Sequence, residues 1–66
     1  MSQLYDLKVL IEAKITAGGL DSADVRGKIA LKAGRLLSFI TPTTPDDPVG
    51  VAKLKQAIKD VLNINA

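Results

Sequence analysis

Two clusters of helix-breaking residues divide this chain, Gly18-Gly19 and Thr41-Pro42-Thr43-Thr44-Pro45. Glycine and proline are the strongest local punctuators of regular structure, so the fold must be assembled from three short stretches. No internal repeat relates them, although the second and third both carry apolar residues at helical spacing.

The middle stretch is the clearest. Val25, Ile29, Leu36 and Ile40 follow a helical period, and Ala33 falls on the same arc. Asp21 is a good N-cap, with Asp24 three residues later as a weak capping-box analogue. Leu20 and Val25 occupy the two positions of a hydrophobic staple. The pattern predicts a helix over about 22–40. Gly27 and Gly34 each weaken it by about 1 kcal/mol relative to alanine. Ala30, Gly34 and Ser38 lie four apart, with Gly27 beside them. Such a stripe of small residues lets another helix approach closely. The first expectation is tight packing within the chain, and the alternative is a symmetric helix pair between two subunits.

In the third stretch Asp47 reads as an N-cap and Pro48 as the first helical residue. Val51, Leu54, Ile58, Val61 and Leu62 form an apolar stripe, with Lys53, Lys55, Lys59 and Asp60 off it. That is an amphipathic helix over about 47–63. The first stretch supports two readings. As a helix over about 2–17, it has Ser2 as cap, Leu4, Leu7, Ile11 and Ile15 on one face, and Gly18 as its stop. As a strand, Leu7, Val9, Ile11, Ala13 and Ile15 alternate with Lys8, Glu12 and Lys14, interrupted by Leu10. Helix is favoured, because an isolated strand needs a partner from another molecule. In the helical reading Val9, Leu10, Ala13 and Ala17 lie off the main apolar face, which hints at a second contact surface. The expected fold is an all-α small three-helix bundle forming a single domain, 1–66. The alternative is a strand-helix-helix dimer.

Size and composition narrow the chemistry. A 66-residue domain buries only about 60% of its extended-chain surface, and chains this short often need extra support. With no cysteine and no histidine, disulfides, thiolate sites and Cys/His zinc sites are excluded. Efficient helix packing, oligomerisation or a partner remains. The missing histidine also removes the usual general base near neutral pH, and no phosphate-cradling glycine motif is present. The expectation is a non-enzymatic protein with no cofactor and no metal. The longest uncharged stretch, Leu36 to Pro45, holds two prolines and is too short to span a bilayer, which takes about 20 apolar residues. No secretory signal is visible at the N-terminus, so the expected location is cytoplasmic.

The net charge is +2, but the charges are segregated. Asp6, Asp21, Asp24, Asp46 and Asp47 sit at or near expected helix N-termini, where carboxylates are favoured. Lys28, Lys32 and Arg35 fall on one side of the middle helix. They read first as a solvated face, and otherwise as an anion or nucleic-acid contact. Two aromatics, Tyr5 and Phe39, supply no stacking platform.

The leading functional expectation is a small helical protein-protein interaction or self-assembly module. Its partner would be itself, as a homodimer or higher oligomer, or another protein. Val9, Leu10, Ala13, Ala30 and Gly34 are the candidate contact residues. If residues 2–16 form a strand, the element order resembles ribbon-helix-helix repressors, whose paired N-terminal strands enter the DNA major groove. That resemblance implies Lys8 and Lys14 facing DNA. The sequence departs from the family in Glu12 on the reading face, in the length of the middle helix and in the proline-rich connection. A structural subunit of a larger assembly is the third expectation.

Overall fold

The computed structural model describes residues 2–66. It contains three helices, α1 (Gln3–Gly18), α2 (Ser22–Ala33) and α3 (Pro48–Leu62), with a 3₁₀ turn at Leu37–Phe39 between the last two. There is no strand among the described residues. The first stretch is therefore helical. Its apparent alternation separates by burial: Leu7, Ile11 and Ile15 are buried, whereas Val9 and Ala13 are exposed. That is a 3.6-residue period, so the strand-helix-helix arrangement does not form.

Each helix begins where a side chain can satisfy its first free amides. The Ser2 hydroxyl accepts from the Tyr5 N–H at 3.0 Å. The Asp21 carboxylate accepts from the Asp24 N–H at 3.1 Å, and that of Asp47 from the Gly50 N–H at 2.6 Å. Each such cap contributes on the order of 1 kcal/mol. The helices end on left-handed residues, Gly19, Gly34 and Asn63. Their N–H groups return to carbonyls of the last turn, those of Ile15, Ala30 and Lys59.

Two helix ends differ from the sequence expectation: α1 runs through Gly18 and is stopped by left-handed Gly19 in its place, and the larger difference lies in the middle helix. The middle helix stops at Ala33 and does not continue to Ile40. Gly34 takes φ 74, the left-handed conformation that glycine adopts without a steric penalty. The chain then extends at Leu36 and tightens into the 3₁₀ turn. Side chains three apart eclipse in such a turn. Leu37 and Ile40 accordingly enter the core together, while Leu36 and Phe39 stay exposed. The apolar arc thus continues through Leu37 in place of Leu36. The small-residue stripe is corrected by the same break. Ala30, Gly34 and Ser38 do not share one helix, and no neighbouring atom lies within 4 Å of a Cβ built at Gly27 or Gly34. The expected close packing inside the chain is therefore absent at Gly27 and Gly34.

The core is aliphatic. Leu4, Ile11, Ile29, Ile40, Leu54 and Ile58 are its largest fully enclosed side chains, and Ala57 fits between the helices at zero exposure. α3 packs against both other helices, most extensively against α2. Its small residue at position 57 allows close approach, as helix packing favours. Burying each of the large side chains is worth about 1.5–3 kcal/mol. The connection from Ile40 to Asp47 is tied back to α1. Lys8 Nζ donates to the Ile40 carbonyl at 3.1 Å. The Asp46 carboxylate accepts from the backbone N–H groups of Gln3 at 2.9 Å and Leu4 at 3.1 Å. Those two bonds hold the Asp46 carboxyl below the usual carboxylate range.

Candidate interaction surface

The inner side of α2 carries Val25, Ile29 and Ala33. With 3.6 residues per turn, the opposite side carries Ala23, Gly27, Leu31 and Gly34, with Ala30 at its edge. No charged residue occupies these positions. A shallow depression of about 280 Å³ lies here, lined by Gly27, Ala30, Leu31, Gly34, Arg35 and Leu36. Leu31 is 86% exposed beside it. Beyond Gly34, Leu36 and Phe39 are also exposed, at 54% and 74%. The absence of Cβ atoms at Gly27 and Gly34 makes the hollow, and the leucines form its apolar walls.

Ion pairs border this face on both sides. Arg26 reaches across to Glu12 of α1, its Nε donating at 2.8 Å to one carboxylate oxygen while a second nitrogen meets the other. That bidentate contact lowers the Glu12 pKa, through the side-chain hydrogen bond first, and raises that of Arg26. Lys28 Nζ lies 3.1 Å from Asp24 one turn earlier. Lys32 approaches Asp60 of α3 at 3.9 Å, and Arg35 meets Asp47 at 3.2 Å. Exposed pairs of this kind add about 0–1 kcal/mol each. Their effect on the local field is larger than their effect on stability. Each member of the expected cationic set, Lys28, Lys32 and Arg35, has a carboxylate beside it.

The structure separates the contact residues expected from sequence into two groups. Ala30 and Gly34 line the α2 depression. Val9 is 49% exposed on α1, Ala13 is exposed and Leu10 is half-buried. None of these three lines the depression. Leu31, Leu36 and Phe39 did not stand out as contact residues in the sequence. A signal for Leu31 was present: it is a large apolar residue placed opposite the arc of Val25, Ile29 and Ala33. Leu36 and Phe39 carried no such signal, because a continuous helix assigns Leu36 to the core.

A second hollow of about 460 Å³ lies at the start of α3, next to Gln3, Asp46, Asp47 and Lys55. Both of its carboxylates are engaged in capping, Asp46 on α1 and Asp47 on α3. Among the described residues no group of three or more acidic side chains could hold a metal ion. Among the described residues no helix is long and apolar enough to cross a membrane. In comparisons with known proteins, no family model, curated protein or solved structure matches this chain.

Proposed function

We propose that this chain is a non-catalytic protein-protein interaction module that docks through the outer face of α2 and the 3₁₀ turn behind it. One observation carries the reading: Leu31, 86% exposed, stands beside a mainly apolar hollow, with Arg35 its one charged wall, on a helix whose other face already fills the core. Contiguous apolar surface of this kind on a small domain marks a contact site. The residue inventory supports a non-catalytic role, since the chain offers no histidine or cysteine as base or nucleophile. Nucleic-acid binding has less support, because the cations bordering the face each sit near a carboxylate.

The test is site-specific photo-crosslinking in cells expressing the full chain. A photo-reactive residue replaces Leu31, Leu36 or, as control, the exposed Lys53 of α3. Discrete adducts from positions 31 and 36, with none from 53, are the expected result. Equal labelling from all three positions, or none from 31 and 36, overturns the reading.

A further inference from the structure

The geometry points to a second copy of this chain as the occupant of the α2 face, packed antiparallel across a two-fold axis. This rests on the docking reading above and names its partner. Two observations favour a copy of the same segment. The first is size complementarity: the face carries both a hollow, whose lining runs from Gly27 to Leu36, and a protruding side chain, Leu31, on its wall. A two-fold axis on the outer side of α2, level with position 29 along the helix, sets Gly27, at the N-terminal edge of the hollow, opposite the partner's Leu31 and, by symmetry, Leu31 opposite the partner's Gly27. Each copy then supplies one knob and one hole, the self-complementarity that an isologous interface requires. The absence of any atom within 4 Å of a Cβ at Gly27 shows that nothing in its own chain fills that space.

The second observation is charge. α2 is acidic where it begins, at Asp21 and Asp24, and basic where it ends, at Lys32 and Arg35. An antiparallel copy brings the acidic end of one helix to the basic end of the other and opposes the two helix dipoles. In this register Asp24 lies near the partner's Arg35, and the pairs each already makes in its own chain, Asp24 with Lys28 and Arg35 with Asp47, are exposed ones that a second copy can share. Lys28 is the charge nearest the axis and would meet its own symmetry mate, but Asp24 one turn earlier already lies 3.1 Å from it. The contact is one helix face, about 18 Å long at 1.5 Å per residue over 12 residues. It sits at the small end of specific interfaces, so association should be reversible, half-complete at roughly 10–100 µM.

Sedimentation equilibrium on the full chain, from about 5 µM to 1 mM, reads this directly. The expected weight-average mass rises from 7.0 kDa towards twice that value. Gly27→Leu fills the hole in a monomer that has room for it. It should keep the circular dichroism spectrum and leave the melting temperature equal or higher, as a better helix former than glycine, while weakening association at least about tenfold. Leu31→Ala should also weaken it, and the double variant Gly27→Leu with Leu31→Ala, which exchanges knob and hole, should recover most of it. A wild-type chain that stays monomeric at 1 mM overturns the inference. So does a dimer indifferent to Gly27→Leu, which would use another face. Crosslinks from position 31 to a heavier, different protein, with a monomeric wild-type chain, would sink the second copy alone and leave the docking reading standing.

Discussion

The two sides of α2 put the same backbone to opposite uses. Inside, Val25, Ile29 and Ala33 are buried and their neighbours are other aliphatic side chains. Outside, Ala23, Gly27 and Leu31 are equally free of charge, yet Gly27 faces open space and Leu31 is the most exposed of the large apolar residues. Apolar character alone therefore does not distinguish core from contact surface. The difference lies in what the rest of the chain brings to each side. α3 covers the inner side, and among the described residues no further helix packs on the outer one.

The largest expected effect tests the inner side. Ile29→Ala should destabilise the fold by about 2–5 kcal/mol, read by denaturant unfolding. A domain of this size has about 3–10 kcal/mol to lose, so at the low end of that range the variant is largely unfolded. Leu31→Ala in the dilute monomer should stay within about 0.5 kcal/mol of wild type. A comparable loss for both would mean that Leu31 supports the monomer core, and the contrast between the two sides would fail.

Gly34 and Gly27 refine the contrast between two glycines that both face open space. Gly34→Ala places a Cβ at φ 74 and should cost about 1–2 kcal/mol through backbone strain. Gly27→Ala lies in ordinary helix and should stabilise the monomer by up to about 1 kcal/mol. Thermal melts of the two variants should therefore move in opposite directions. A destabilising Gly27→Ala would show that the outer face is packed after all.

Asp47→Ala should cost on the order of 1 kcal/mol, since it removes the cap on Gly50. It also releases Arg35 at the border of the depression. Association should weaken along with stability if that border orders the contact. An unchanged dimer with a less stable fold would confine Asp47 to capping.

The smallest expected effect is the pH response. Asp46 and Glu12 have folded-state pKa values below their ordinary ones, Asp46 through the Gln3 and Leu4 amides and Glu12 through Arg26. A depressed carboxyl pKa contributes stability that is fully present above the unfolded value, about pH 4. That contribution is lost as pH falls through the folded value. Melting temperature should therefore decline on acidification below about pH 4, and Asp46→Asn should flatten the decline. An acid limb identical in wild type and variant would show that Asp46 does not hold the start of α1.

Much of the fold follows from local sequence signals. Ser2, Asp21 and Asp47 each cap the helix that spacing and propensity place after them. The apolar arc of α1 buries as its period requires, and that of α3 does so through Val51, Leu54 and Ile58 with Val61 and Leu62 partly covered, because cap chemistry and the 3.6-residue repeat act within a few residues. Composition likewise determined an aliphatic core and removed histidine and thiolate chemistry. Tertiary structure decided the rest. Gly34 could continue a helix or end one, and the choice went to the ending that lets Leu37 and Ile40 both enter the core against α3. Asp46 looked like a residue of the α3 start, yet the folded connection carries it to the first amides of α1, far away in sequence. The outer face of α2 became a surface for the same reason. Whether a helix side is covered depends on where the other helices pack, and no local pattern records that.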